Sequence, residues 1–423
     1  MTDIMTKLNA KTAEERLKNL VEVKKSIDKG ELKPDLLSGS VNNHIHTIYS
    51  FSPYSPTLAV FMAWKNGLTT AGIMDHDSIG GAHEFLKAGE IMNMAVTAGI
   101  ECRVSMKNTK LNGKRINNPD QKSVAYVALH GVPHGFIDTV NDFFAPYREK
   151  RNIRNKKMCE SISHLTAPFG ITLDFEQDVL PISNFADSGS VTERHLLFAL
   201  AKKIATVYKT PDQLVDFLKN GLKMDLSDKV SAQLLSAIPE YYLYDVLGAL
   251  KGNLVEKFYI DADEECPDVT EYIALAKKTG AISAYAYLGD VGNSVTGDKK
   301  AQTFEDEYID LLFAELSRLG FNAVTYMPTR NTEEQLNLVM QYCDNNGFFQ
   351  ISGEDINSPR QSFICKALEK ENFKHLFAST YALIGHEKAA TENADNGMFT
   401  AKTIAQFPLL PDRIKHFEAI GRA

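Results

Sequence analysis

His44 and His46 stand two residues apart in the run Val41-Asn42-Asn43-His44-Ile45-His46. On an extended strand, side chains two apart leave from the same face. Paired imidazoles on one face are a good two-point ligand for divalent Zn, Mn or Fe. Asp75-His76-Asp77 closes a second short apolar run and offers an imidazole between two carboxylates. Glu101 ends the apolar stretch 94–100, where a lone carboxylate is costly unless it is paired or metal-bound. His130 likewise ends 123–129. Singly, each has an ordinary reading as a turn histidine or a structural carboxylate. Their ordered recurrence at successive strand ends points to a metal centre, because the carboxyl ends of strands in an α/β fold converge on one crevice. His134 is different. Gly131, Pro133 and Gly135 forbid a helix there, so it reads as a loop residue and not as the i+4 partner of His130.

The elements that must position these groups alternate in type. A strand over 41–46 precedes a helix over 57–66, and a strand over 71–74 precedes a helix over 78–88. Strands follow over 94–100 and 123–129. Such an order predicts a parallel α/β sheet or barrel. Before it, Leu17, Leu20 and Val21 at helical spacing predict an N-terminal helix over 11–29, stopped by Gly30. The rhythm breaks after about 140, where helices are expected over 141–166, 191–208, 211–223 and 228–256. It returns with a strand over 281–287, a helix over 305–319, a strand over 321–326, a helix over 332–346 and a strand over 348–352. Asn331 and Glu334 form the expected cap of the helix over 332–346. The chain therefore divides into a helical segment 1–38, a first part of the α/β body 39–139, a mainly helical insertion 140–270, a second part 271–390 and a helical tail 391–423. The basic run from Arg148 to Lys157 reads as a solvated helix face.

Composition narrows the functional classes. Of 423 residues, 44% are hydrophobic and 24% charged, which excludes a disordered or fibrous chain. The balance of 46 basic against 54 acidic residues gives a net charge of −8, so a long polyanion is repelled unless a local basic patch exists. No window approaches the roughly 18–20 apolar residues of a membrane span, and the first thirty residues carry no hydrophobic signal core. Cys102, Cys159, Cys266, Cys343 and Cys365 are scattered, as expected of reduced thiols rather than a disulfide frame or a structural zinc site. The expected address is the cytoplasm.

The segments HIHTIYSFSPYSP, GIMDHDSIGG, AGIE and VALH, followed by ERHLLFAL, LGFNAVTYMPTRNTEEQ and ISGEDINSP, resemble the PHP (polymerase and histidinol phosphatase) superfamily over roughly 40–135 and 275–360. The resemblance implies a distorted (β/α)7 TIM-like barrel with a helical insertion, two or three divalent cations (Zn, Mn or Fe), and hydrolysis of phosphoester bonds. Carried over by position, His44, His46, Glu101 and Asp355 match ligands of a first metal. Glu101 bridges to a second metal held by His130 and His195, and His76 matches a ligand of the third. Three positions depart from the pattern. Asp355-Ile356-Asn357 stands where D-x-H is usual, leaving Asn357 as an amide ligand. Phe51 and Ser52 fill a region that often carries an acidic or His ligand, and Ala284-Tyr285-Ala286-Tyr287 replaces Ala-His-Pro.

Two bridged cations would lower the pKa of a shared water, supplying a metal-bound hydroxide held by Glu101, His130 and His195. Arg194 and Arg330 are candidates for gripping phosphate, and Asp75 and Asp77 for orienting His76. The substrate expected is a small phosphorylated metabolite or nucleotide, with nucleic acid less favoured and no membrane partner. The alternatives are a PHP-type exonuclease on single-stranded nucleic acid, or a metal-binding barrel that has lost turnover and acts by binding.

Overall fold

The computed structural model describes residues 1–36, 38–290 and 303–423. The chain opens with α1 (Thr2–Leu8) and α2 (Ala13–Asp28), the latter started by a capping box between Thr12 and Glu15. Strand β1 (Ser40–Ile45) leads to α3 (Pro56–Lys65), which has Ser55 as N-cap and proline in its first turn. Next come β2 (Leu68–Ile73), β3 (Asp75–His76), α4 (Ala82–Met92), β4 (Ala95–Thr97), β5 (Ile100–Ser105) and β6 (Val124–His130).

The stretch that breaks the alternation begins with the 30-residue α5 (Ile137–Thr166). It continues through α6 (Glu193–Val207), α7 (Pro211–Asp216), α8 (Asp228–Ser236) and α9 (Tyr242–Phe258). The sequence reading of one helix over 228–256 is corrected here. Ala237 adopts φ +45 and Pro239 follows, so α8 stops and α9 restarts. After α10 (Val269–Thr279) come β7 (Ile282–Ala286), α11 (Ile309–Leu319), β8 (Ala323–Tyr326), α12 (Glu333–Asn346) and β9 (Phe349–Ser352). The cap of α12 is Thr332 with Gln335, one residue beyond the expected pair. Helices α13 (His375–Glu392), α14 (Ala401–Gln406) and α15 (Leu410–Arg422) close the chain.

Two sheets result, in the orders β1-β2-β4 and β3-β5-β6-β7-β8-β9. Most pairs are parallel, but β6 is antiparallel to both β5 and β7, against the all-parallel expectation. Glu101 also differs from its expected place. It is the second residue of β5 and not the cap of a strand ending at Ile100. A closed barrel is not formed by these ladders among the described residues.

The main core packs strand side chains against α3, α4, α10, α11 and α12. A second core is built from residues between Met158 and Phe258, with Phe51 reaching in from the loop after β1. A third joins Ile282, Ala284, Ala323, Phe349 and Ile351 of the sheet to Ala382, Leu383, Met398 and Phe417. The last helices are thus part of the packed body and not a loose tail. All five cysteines are buried and unpaired in disulfide terms.

Candidate metal centre

The centre is assembled where β1, β3, β5 and the segment after β9 meet. Asn42 and Asn43 of β1 tie that segment down: Asn42 Nδ2 donates to Glu354 O, its Oδ1 accepts from the Glu354 and His44 N–H groups, and Asn43 Nδ2 donates to Ser352 O. Backbone hydrogen bonds from His46 N to Ile356 O and from Ile356 N to His44 O place Asp355 beside the histidine pair. Gly353 permits this approach, since a Cβ there would lie 2.6 Å from His44 Cβ.

His44, His46 and Glu101 form the one group of three His, Cys, Asp or Glu donors among the described residues whose ligand atoms all lie within 4.8 Å of one another. His44 Nε2 and His46 Nε2 are 3.2 Å apart, and they stand 3.6 and 3.9 Å from Glu101 Oε2. Donors about 2.0–2.1 Å from a tetrahedral cation are separated by about 3.3–3.4 Å, so the group fits one cation. Asp355 Oδ1 lies 3.0 Å from His46 Nε2, and His76 Nδ1 lies 3.0 Å from Glu101 Oε2. Asn357 Nδ2 donates to Asp355 Oδ1 at 2.6 Å, so its amide orients that carboxylate.

Burial alone would raise the Glu101 carboxyl, but His76 and His44 outweigh it and hold it well below the usual carboxylate range. Asp355 is likewise held low, with burial overcome chiefly by His46 and in part by Arg194. His44 is raised because Glu101 outweighs its burial, whereas burial keeps His46 down. Ionised oxygens and neutral imidazole are the forms that bind divalent cations, so a cation at this group would displace a proton from His44.

Asp75 does not act on His76 as the sequence had indicated. It accepts from Thr47 N (2.6 Å), Thr47 Oγ1 (2.5 Å) and Ser50 Oγ (2.6 Å), and Ser50 Oγ lies 3.3 Å from His46 Nδ1. The single Ser50 hydroxyl proton goes to Asp75, so His46 Nδ1 must be the donor. Its Nε2 then carries the lone pair that faces the centre. Asp77, at φ +51, likewise turns away from His76 and pairs with Arg151.

His130 is buried beside this group, with Nε2 lacking a hydrogen-bond partner, and burial followed by the His44 charge lowers its pKa to about 3. His195 lies on α6, where its ring meets Phe51 edge-on at 5.0 Å. Its Nδ1 accepts from Thr192 N at 3.0 Å. Arg194, half-buried, is close enough for its charge to act on Asp355. Arg330 sits in the turn after β8, and the neighbouring Thr329 Oγ1 donates to Glu354 Oε2 at 2.6 Å. Tyr285 and Tyr287 donate to Glu305 and Asp306 and belong to the packing behind β7.

The basic run on α5 is not a solvated face. Arg148, Arg151 and Arg154 are buried, while Lys150, Lys156 and Lys157 are exposed. Arg151 pairs with Asp77 and Glu193, Arg154 with Glu193 and Glu265, and Arg103 of β5 with Glu265 and Glu193. Apart from Glu193, these side chains are at most 8% exposed. The three-residue spacing of the arginines, one per helical turn, was the available signal for a buried stripe. Ser190 Oγ also donates to His76 O, and Ser190 N to Tyr49 O. The inserted helices therefore form a wall of the centre.

No family model matches the chain, and no curated protein does. Solved structures do. A candidate metal-dependent phosphoesterase from Bifidobacterium adolescentis aligns at 19% identity with a TM-score of 0.51, over 80% of this chain and 96% of that one. An amidohydrolase from Chromobacterium violaceum, with bound sulfate and no metal, aligns at 15% identity with a TM-score of 0.50 and the same coverage. At such identities the likeness is one of fold: a mixed α/β body with mainly parallel strands and many helices. No helix among the described residues is long and apolar enough to cross a membrane.

Proposed function

We propose that the protein is a metal-dependent hydrolase of phosphoester bonds in a small phosphorylated metabolite or nucleotide. The observation that carries this reading is the His44–His46–Glu101 group, with donor separations suited to one cation and with Asp355 and His76 on either side. The chemistry a divalent cation held there would supply is a lowered pKa for a bound water and neutralisation of phosphate oxygens. Around it, His46 is held as a lone-pair donor by Ser50 and Asp75, and Asn357 fixes Asp355. Arg194 and Arg330 are the groups we assign to the remaining phosphate oxygens, where a guanidinium grips two at once. In hydrolysis, water adds to phosphorus while the bond to the ester oxygen breaks, and that oxygen leaves with a proton as the alcohol.

The fold we infer is the PHP type. Met74 alone separates β2 from β3, and Ala98-Gly99 separates β4 from β5. Counting each pair as one bent strand gives seven. The isolated bridge between Ile45 and Ile356 supports closing β9 back onto β1. The structural neighbours named as a phosphoesterase and as an amidohydrolase are in keeping with a hydrolase. A nucleic-acid substrate loses its main support, because Arg151 and Arg154 are consumed by internal carboxylates and Arg148 by the Asp77 and Asn141 carbonyls.

Metal analysis tests the site. The purified chain should carry Zn, Mn or Fe, and His44→Ala with His46→Ala should lose it while keeping the wild-type circular dichroism. Unchanged metal content in the double variant would remove the proposed site.

A further inference from the structure

The PHP resemblance places a second cation on Glu101, His130 and His195, but the helix that carries His195 uses that side chain differently. His195 is the third residue of α6, and it closes a capping box with Thr192 in the place usually taken by Glu or Gln. Its Nδ1 accepts the Thr192 backbone N–H at 3.0 Å. A backbone amide can only donate, so Nδ1 holds the lone pair and the neutral ring carries its proton on Nε2. Ligation through Nε2 would require the proton to move to Nδ1 and this cap bond to break. His46 is the opposite case, with Nδ1 donating and Nε2 free.

We propose that the centre holds a single resident cation, on His44, His46 and Glu101 with Asp355. The guanidinium cluster of Arg103, Arg151 and Arg154 adjoins the centre through the Arg151–Asp77 pair and the place of Arg103 on β5. Without His195, that second cation keeps only the shared Glu101 and His130, short of the three protein ligands typical of a resident catalytic zinc. The cluster is balanced by Asp77, Glu193 and Glu265, so it stays in place with no cation to neutralise. His195 is a positioning residue, holding the start of α6 and hence Glu193 and Arg194.

This inference rests on the proposed metal site, and counting metal separates the two. The full chain is stripped with a chelator, reloaded with Zn2+ or Mn2+ in excess, desalted, and measured by elemental mass spectrometry. One tightly held equivalent per chain is expected. His195→Gln, which keeps a capping-box side chain at that position, should keep the same equivalent. Two or more equivalents in the wild type would overturn the single-cation centre, and so would loss of the one equivalent in His195→Gln. No bound metal at all would overturn the proposed site itself, and this inference with it.

Discussion

At the scale of single residues, the centre depends on which nitrogen of each imidazole is free. Asp75 sets this for His46 through Ser50, without touching the ring. Asp75→Ala should therefore weaken metal binding about 10- to 100-fold, the usual cost of losing an outer partner of a ligand. Titration of the stripped chain with Zn2+ by calorimetry measures it, and unchanged affinity would contradict the relay. A second residue-scale effect lies away from the metal. Burial pushes the Glu305 carboxyl up to about 8, although the Leu288 N–H bonds to it. A group whose folded pKa is raised stabilises fully below its unfolded value, near 4.5, and loses that contribution as pH rises through about 8. The wild-type Tm should accordingly fall across that window, by an amount set by up to a few kcal/mol. Glu305→Gln should flatten the fall, as scanning calorimetry at several pH values would show.

At the scale of elements, what the sequence could reveal followed from local signals. β1, α3, β6 and α6 are marked in the sequence by apolar runs or helical periodicity. His44, His46, Glu101 and Asp355 could be read because their neighbours form ordered motifs, and the structure gathers them. The burial of Arg151 and Arg154 could not be judged from charge, because their partners Glu193 and Glu265 lie 39 to 111 residues away along the chain. The antiparallel course of β6 was hidden for a similar reason, since strand direction depends on how the chain returns and not on the strand's own residues. Packing of the last helices was equally non-local. Gly385 of α13 faces the Phe417 carbonyl of α15, and Gly421 faces Tyr381, so closely that a Cβ at either would overlap backbone. Gly385→Ala, although favourable for helix propensity, should destabilise the fold by about 1–3 kcal/mol or more through overpacking. Urea unfolding gives the value, and a more stable variant would show that the two helices are not locked together.

At the scale of the whole molecule, the excess of acid over base has a local explanation. Glu101, Asp355, Asp75 and Asp77 are gathered with histidines, hydroxyls or Arg151 at one site, while the arginines of α5 face inward. A cation at that site would attract phosphate locally, while the −8 net charge disfavours long polyanions. The insertion braces the site, through the Phe51–His195 contact, the Ser190 bond to His76 and the Arg151–Asp77 pair. The most direct test of the account is phosphate release from a panel of phosphomonoesters and small phosphodiesters by the chelator-stripped chain, before and after reloading with Mn2+, Zn2+ or Fe2+. The account predicts hydrolysis of at least one ester that appears only on reloading and disappears in His44→Ala with His46→Ala. A fully loaded chain that cleaves none of them, or a stripped chain that cleaves as well as the loaded one, would contradict it.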